Sequence, residues 1–328
     1  MMIRRRALAA ALAVGALLGA APLHALAQHD YPDHPVKLVV PLGPGSATDL
    51  LARQLARWLE QEWKQPVIVE NRPGAGSMIA AEYVARQPAD GYTLLLTGSS
   101  LVIAPLIDKK ATFQIGRDLS PVARVAVLRI ALATNTEVPA RNLQEFAALT
   151  RARPGQMNYA GLGRTSVIDT GIEVLKRGLD MDLTPIAYKG AAEHNTALIR
   201  NDVQLVWGGA NVLKEQAATG KVRIIAAVSD KRFPDLPEVP TVVEAGYSGF
   251  IPRVWTGVVA PTATPQPILD KINRDVNRVL ARPEAVATMG GALGNDPAPL
   301  PPGAFAEAVK QETAFWSEMF KALKIEPQ

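Results

Sequence analysis

The chain contains no cysteine, few aromatic residues and only four histidines among its 328 residues. Without cysteine it can form no disulfide, thiolate nucleophile or cysteine metal site, so core packing must stabilise the fold. Aromatic residues are 5% of the sequence, and no long run of lysine or arginine follows the first six residues. We therefore expect neither nucleic acid nor an anionic membrane surface as a partner.

The basic character of the chain is concentrated at its start. Residues 1–27 combine three arginines, an apolar run over residues 7–21 and a small-x-small end at residues 25–27. This pattern predicts a cleaved secretory signal peptide and a periplasmic protein; a retained membrane anchor is the alternative, although the run is short for a span. Removing the three arginines lowers the formal net charge from +4 to +1.

The rest of the chain alternates β-branched runs, glycine turns and segments with helical spacing. "PVKLVVPLG" predicts a strand, and the apolar residues Leu51, Leu55, Trp58 and Leu59 predict an amphipathic helix after it. The same order recurs along the chain, which indicates βαβ units and mostly parallel sheets. The predicted fold class is α/β, with two lobes and a cleft between them.

Three turns carry a partial glycine signature: "GPGSAT" from Gly43, "GAGSMI" from Gly74 and "GLGRTS" from Gly161. None has the third glycine of a dinucleotide fingerprint or the lysine of a P-loop, so we expect no nucleotide cofactor. A helix start with free backbone N–H groups suits a carboxylate or another small anion. For Ser46 and Asp49, which are spaced like a capping box, a purely structural cap is the alternative.

Two further stretches are candidates for ligand contact. "TGSS" at residues 97–100 follows an apolar strand and collects three hydroxyl groups where parallel sheets usually bind ligands, although an ordinary turn would look the same. Arg164 in "GLGRTS" could hold a carboxylate through two parallel hydrogen bonds, or it could be a solvated surface residue.

Catalytic motifs are missing from the sequence. There is no G-x-S-x-G elbow and no H-E-x-x-H motif. His194 in "AAEHNTAL" is a weak candidate for a general base, and we expect an exposed helical histidine there. Asp180 and Asp182 lack further metal ligands nearby in sequence. The chain is predicted to be no enzyme and to bind no metal.

Eight collinear segments of the mature chain resemble one family, the periplasmic solute-binding proteins of tripartite tricarboxylate transporters (the Bug family). The segments are "YPDHPVKLVVPLGPGSATD", "VIVENRPGAG", "PADGYTLLL", "ARPGQMNYAG", "AYKGAA", "GKVRIIAAVSDKR", "LPEVPTVVEAG" and "WTGVVAPTATP". The resemblance implies a two-lobed type II periplasmic binding fold, with lobe 1 at residues 28–128 and 250–328 and lobe 2 at residues 129–249. It also implies a small organic carboxylate as ligand, membrane transporter subunits as partners, a monomer and no catalysis.

The resemblance also implies which residues form the binding site. The turn after the first strand and the hydroxyl-rich loop would hold one carboxylate, and the second lobe would contact the other end of the ligand. The predicted ligand-binding residues are Pro44, Gly45, Ser46, Ala47, Asp49, Thr97, Gly98, Ser99, Gly163, Arg164, Thr165, Ser166, Gly208 and Trp255.

Several positions depart from the family pattern. Ser46 and Ser77 stand where the family usually has a second glycine, Arg164 stands for asparagine and Asp169 for histidine, and glycines 208 and 209 replace an acidic residue. The loss of that acid and the added cation of Arg164 predict a dicarboxylate, tricarboxylate or aromatic carboxylate in preference to an amino acid. A sensor subunit that presents its ligand to a membrane histidine kinase, and a secreted hydrolase using His194, are the alternatives.

Overall fold

The computed structural model describes residues 31–74, 77–108, 111, 113–161, 166–188, 191–249, 251, 253–291 and 293–322. The predicted signal peptide and the predicted site residues Gly163, Arg164 and Thr165 lie outside these residues. Contacts divide the chain into two units, Met1–His34 and Pro35–Gln328. Of the first unit only residues 31–34 are described, with a cis peptide bond between Tyr31 and Pro32. All helices and strands below belong to the second unit.

Helices and strands alternate along most of the second unit, as the periodicity predicts. The strands are β1 Val36–Val40, β2 Val67–Asn71, β3 Thr93–Gly98, β4 Leu119–Leu128, β5 Ile130–Asn135, β6 Asn158–Gly161, β7 Thr184–Ala187, β8 Val206–Gly209, β9 Val222–Ala227, β10 Trp255–Pro261 and β11 Asn295–Pro297. The helices are α1 Ala47–Trp63, α2 Met78–Ala85, α3 Ser100–Ile107, α4 Leu143–Ala152, α5 Val167–Leu179, α6 Ala191–Ile199, α7 Ala210–Ala217, α8 Gln266–Leu280, α9 Pro283–Gly290 and α10 Ala304–Ala322.

The first sheet has six strands in the order β11-β4-β10-β3-β1-β2. Strand β1 pairs in parallel with β2 and β3, whereas β10 is antiparallel to both β3 and β4. Strands β1 to β4 therefore run in one direction, and β10 and β11 run in the other. Helix α1 packs against β1 and β2 and buries the apolar face that its spacing predicts.

The second group of strands forms a sheet in the order β8-β5-β9 and a parallel pair of β6 and β7. A parallel bridge between Tyr159 and Leu205 connects the two. Here β5 is the strand that runs against the others. All five strands lie within the predicted lobe 2, and the six-stranded sheet lies within the predicted lobe 1. The predicted two-lobed α/β fold is confirmed, and its boundary residues stay a prediction.

One large hydrophobic cluster contains residues of both sheets, among them Leu95 of β3, Leu132 of β5 and Trp207 of β8. Each large apolar side chain buried in it contributes about 1.5–3 kcal/mol. The chain crosses between the sheets within one residue, because β4 ends at Leu128 and β5 begins at Ile130. At that crossing, Arg129 donates to the carboxylate of Asp235 over 2.5 Å and to the carbonyl of Gly290 over 2.6 Å.

Candidate functional site: a cavity between the two sheets

A cavity of about 440 Å³ is lined by elements of both sheets. Its lining residues come mostly from strand ends and helix starts, which is where ligands bind in α/β sheets. The lining residues are Pro41, Leu42, Ala47, Thr48, Leu50, Leu51, Ser77, Gly98, Ser99, Ser100, Leu128, Val167, Gly209, Asn211, Val212, Val254, Trp255, Thr256, Leu293, Gly294 and Asn295.

The turn between β1 and α1 is a helix cap. Gly45 has φ +82°, a left-handed conformation in which a side chain is strained. The Ser46 hydroxyl then accepts a hydrogen bond from the Asp49 amide over 3.2 Å, and the Asp49 carboxylate accepts one from the Gly45 amide over 2.9 Å. The predicted structural cap by Ser46 and Asp49 is confirmed, with the difference that Asp49 bonds to the amide of Gly45 rather than to that of the N-cap residue. Of its neighbours, Ala47 and Thr48 line the cavity.

Asp49 supports this turn from inside the protein. Its side chain is buried and accepts hydrogen bonds from Arg53 Nε over 3.0 Å and from Asn71 Nδ2 over 2.8 Å. Burial alone would raise the pKa of Asp49, but the bonds from Arg53, Gly45 and Asn71 outweigh it and lower the pKa to about 2. Asp49 does not line the cavity, so its observed contacts give it a capping role.

The hydroxyl-rich loop joins β3 to α3. Thr97 and Ser99 are both buried, and neither hydroxyl has a hydrogen-bond partner among the described residues. The Ser99 amide donates to the carbonyl of Trp255 over 3.2 Å, which ties the loop to β10. Gly98 and Ser99 line the cavity, whereas Thr97 lies one residue further back in the strand. A buried hydroxyl at a cavity wall is available to donate to a ligand.

The second lobe contributes two further helix starts. Ser166 caps α5 by accepting from the Asp169 amide over 3.0 Å, so the amide-to-hydroxyl bond of the Ser-x-x-Asp pattern in α1 recurs here. The first residue of that helix, Val167, lines the cavity. At the end of β8, Gly209 lines the cavity, whereas Gly208 does not.

Trp255 lines the cavity, and the polar edge of its ring is already occupied. Its indole N–H donates to Glu312 over 2.6 Å, and Trp316 donates to the other carboxylate oxygen over 3.2 Å. Burial of Glu312 raises its pKa to about 7, against the opposing effect of the two indole donors and of Arg124. The Trp255 ring is therefore held in place by an internal contact rather than by a ligand.

Sequence reasoning missed several lining residues. Asn211, at the start of α7, packs its side chain against Gly294, where an added Cβ would lie 2.5 Å from Asn211 Nδ2. Contacts of this kind join residues that are distant in sequence, so no local pattern could indicate them. Ser77 did carry a signal, because it stands where the family usually has glycine. It adopts φ +84° at the start of α2 and lines the cavity.

The expectation of an exposed His194 is wrong. Its side chain is only 1% exposed, and its Nε2 lies 3.2 Å from the carbonyl oxygen of Gly161. Helix α6 packs one face against β6 and β8, and His194 shares that face with the buried Ala197 and Leu198. Desolvation lowers the pKa of His194. The residue does not line the cavity.

Among the described residues, the positive potential at the cavity comes from backbone groups. None of the described residues that line it carries a charged side chain. Helices α1, α3, α5 and α7 all begin at the cavity wall, and a helix start presents free N–H groups and a partial positive charge. Within the described residues, no group of acidic and histidine side chains could hold a metal ion, and no helix is long and apolar enough to cross a bilayer. The arrangement is suited to a small anion.

The two-lobed fold and its interlobe cavity define the class of the protein: it has the architecture of a solute-binding receptor. The model of the tripartite tricarboxylate transporter family receptor matches residues 51–313. The chain belongs to this family, as the resemblance predicts. A larger groove of about 920 Å³ is lined mostly by residues 114–117, residues 120–122 of β4, and helices α8 and α10, all attached to the six-stranded sheet. Because receptors of this class close around a ligand between their lobes, we assign the candidate site to the smaller cavity.

Relatives of known structure or name are similar to this chain over most of its length. BugT of Bordetella pertussis is 33% identical over 291 residues, which cover 88% of this chain and 88% of BugT. A protein of R. palustris solved with adipate has a TM-score of 0.78 and 29% identity, and covers 91% of this chain and 100% of that chain. MatC from Rhodopseudomonas palustris, with bound malate, has a TM-score of 0.71 and 30% identity. The match covers 88% of this chain and 99% of MatC.

Proposed function

We propose that the protein is a periplasmic receptor that captures a small organic carboxylate between its lobes and delivers it to membrane transporter subunits. The observation that carries the proposal is the buried Ser99 hydroxyl, which has no hydrogen-bond partner in the described part of the chain and lies in a cavity where several helices begin. Backbone N–H groups and a hydroxyl stabilise a carboxylate without a fixed cation. The relatives solved with adipate and malate support the same ligand class.

The composition of the wall argues against an amino acid as ligand. An ammonium group needs an acceptor of negative charge, and the described lining residues include no aspartate or glutamate. Gly209, one of the two glycines that stand where the family often has an acid, lies at the end of β8. We therefore keep the prediction that dicarboxylates, tricarboxylates or aromatic carboxylates bind better than glutamate. Arg164 as a partner of the ligand stays a prediction.

A panel of carboxylic acids tests the proposal. A ligand that binds only the folded state raises its apparent stability, so thermal shift of the purified mature protein identifies the acid, and calorimetry gives its Kd. Micromolar affinity would correspond to about −8 kcal/mol. Absence of any shift or heat with every carboxylate in the panel would contradict the proposal.

Ser99→Ala is the variant that tests the site. We expect it to weaken carboxylate binding by about 1.5–3 kcal/mol, the range for a hydrogen bond to a charged group. Thr264→Val is the matched control, because the Thr264 hydroxyl is also buried without a partner among the described residues but does not line the cavity. Equal effects of the two variants on Kd would place the carboxylate elsewhere.

A further inference from the structure

Arg129 is the single residue between β4 and β5, at the place where the chain crosses from one sheet to the other. Its side chain is only 11% exposed, although it carries a fixed positive charge. Desolvation of such a charge is costly unless partners compensate for it. The partners of Arg129 therefore indicate what the residue does at the crossing.

On the side of the six-stranded sheet, Arg129 has two partners. Its Nη2 donates to the carbonyl oxygen of Gly290, at the end of α9, over 2.6 Å. Its Nε lies 3.3 Å from the carboxylate of Asp296 in β11, close enough for an ion pair but without the geometry of a hydrogen bond. Strand β11 pairs with β4, and α9 packs against β11. Both contacts therefore hold the guanidinium to the first sheet.

The third partner of Arg129 belongs to the second group of strands. Nη1 donates to the carboxylate of Asp235 over 2.5 Å. Asp235 lies in sequence between Phe233 and Leu236, which are buried in a hydrophobic cluster with side chains of β5, β8 and β9. Lys214 of α7 also donates to the carbonyl oxygen of Asp235 over 2.8 Å. One guanidinium thus contacts both groups of strands at once, which its planar fork of donors allows.

The residues next to these contacts form part of the cavity wall. The Arg129 carbonyl accepts a hydrogen bond over 2.8 Å from the amide of Ala210, the first residue of α7, and the next two residues of α7 line the cavity. On the other side, Leu128 and Asn295 line the cavity and are partners in the register of β4 and β11. Leu128 directly precedes Arg129, and Asn295 directly precedes Asp296. The walls contributed by the two sheets therefore meet at Arg129, which does not itself line the cavity.

We propose that Arg129 is a positioning residue of the binding site, and that its contacts with Asp235, Gly290 and Asp296 form a clasp that holds the two sheets in the arrangement that creates the cavity. Rotation of one lobe against the other moves Asp235 relative to Gly290 and Asp296, so it breaks contacts on one side of the guanidinium. The two carboxylates are 35% and 54% exposed. Water can therefore replace these contacts, and the clasp can open for ligand exchange. The inference rests on the proposed function for the kind of ligand, whereas the clasp also acts in the empty receptor.

Asp235→Ala releases the clasp from the second group of strands. The guanidinium keeps Gly290 and Asp296, so the variant leaves no unpaired charge at the crossing. We expect the ligand-free variant to be more open, with a larger radius of gyration in small-angle X-ray scattering than the wild type. A receptor that is less often in its binding arrangement binds more weakly. Kd for the acid that binds most tightly, with adipate and malate among those tested, should therefore rise about three- to tenfold.

Glu62→Ala is the matched control. Glu62 of α1 is 17% exposed and accepts hydrogen bonds from Arg278 and Arg282, but these residues all belong to elements that pack on the six-stranded sheet. We expect this variant to leave the radius of gyration and Kd unchanged. Circular dichroism and the melting temperature check that each variant folds.

A double variant tests whether the two carboxylates act through one clasp. Once Asp235→Ala has released the second group of strands, adding Asp296→Ala should weaken binding no further. Two carboxylates that support the site independently would instead have additive effects on Kd.

The outcomes separate the clasp from the proposed function. An unchanged radius of gyration or an unchanged Kd for Asp235→Ala overturns the inference and leaves the carboxylate receptor intact. Effects of Glu62→Ala as large as those of Asp235→Ala also overturn it, and so do additive effects in the double variant. If the wild type binds no carboxylate, the proposed function fails, and scattering from the ligand-free proteins still decides whether Arg129 holds the two sheets.

Discussion

Asp49 and Glu312 are two buried carboxyl groups that support the cavity wall from different elements. Asp49 lies in the first turn of α1 and accepts hydrogen bonds from the Gly45 amide, Arg53 and Asn71. Glu312 lies in α10 and accepts two indole N–H bonds, one from the lining residue Trp255 and one from Trp316. The pKa of Asp49 is lowered to about 2, whereas that of Glu312 is raised to about 7.

The difference shows that the charge of a buried carboxyl group depends on whether its partners outweigh the cost of desolvation. Asp49 has a guanidinium partner and sits at a helix start, and both favour the ionised form. The direct partners of Glu312 are neutral donors, so desolvation dominates there. One carboxylate therefore stabilises the fold at neutral pH, and the other costs stability once it ionises.

The largest expected effect concerns the pH dependence of Glu312. Its folded pKa of about 7 lies above the usual 4.5, so the folded state binds the proton more tightly. Its contribution to stability is complete below pH 4.5 and is lost as the pH rises through 7. We expect the free energy of unfolding of the wild type to fall across this window by about 3 kcal/mol relative to Glu312→Gln.

Denaturant unfolding of both proteins at several pH values between 4 and 8 measures this difference. If the free energy of unfolding changes with pH in the same way for wild type and variant, Glu312 does not titrate in this window.

The second prediction separates the two indole donors. Trp255→Phe and Trp316→Phe each remove one hydrogen bond to ionised Glu312. Each variant should therefore lose more unfolding free energy above pH 7 than at pH 5, and the difference should be about 1.5–3 kcal/mol. Only Trp255 lines the cavity, so only Trp255→Phe should also change the Kd of a bound carboxylate. An equal loss of stability at both pH values would mean that the donors do not act on the charge of Glu312.

The third prediction concerns Asp49, whose effect on stability changes with pH in the opposite direction to that of Glu312. Its folded pKa lies below the usual 3.8, so its contribution is present above pH 3.8 and is lost as the pH falls through 2. We expect Asp49→Asn to lower the free energy of unfolding at pH 7 by about 1–2 kcal/mol, a range reduced because Arg53 is itself half-exposed.

Asp230→Asn is the control for this variant. Asp230 pairs with Arg253 on the exposed surface, where an ion pair contributes little. If Asp49→Asn lowers the free energy of unfolding no more than Asp230→Asn does, the buried hydrogen bonds of Asp49 add nothing to the ion pair between Asp49 and Arg53.

The smallest effect is expected from the cap that positions Asp49. Ser46→Ala removes the acceptor for the Asp49 amide and should cost about 1 kcal/mol in unfolding free energy. Ser166→Ala removes the equivalent acceptor at the start of α5 and should cost about the same. Thermal and denaturant unfolding compare the two, and a loss of 3 kcal/mol or more at one site alone would show that its serine does more than cap a helix.

The sequence indicates local features well because their partners lie within one helical turn. The bond from the Asp49 amide to Ser46 spans three residues, and the buried face of α1 follows from its own spacing. The run "VARVAVLRIALAT" shows the limit of such reasoning. It reads as continuous strand material, yet Arg129 divides it between β4 and β5, which belong to different sheets.

The sequence by itself determined the α/β class and the family, because these depend on short-range periodicity, glycine turns and collinear motifs. Tertiary structure decided that His194 is buried, that Trp255 is held by Glu312 57 residues away, and that Asn211 packs against Gly294. It also brought the exposed aliphatic side chains of Leu42, Leu50 and Val212 to one cavity. Such contacts depend on which faces pack together, and no local pattern in the chain encodes that choice.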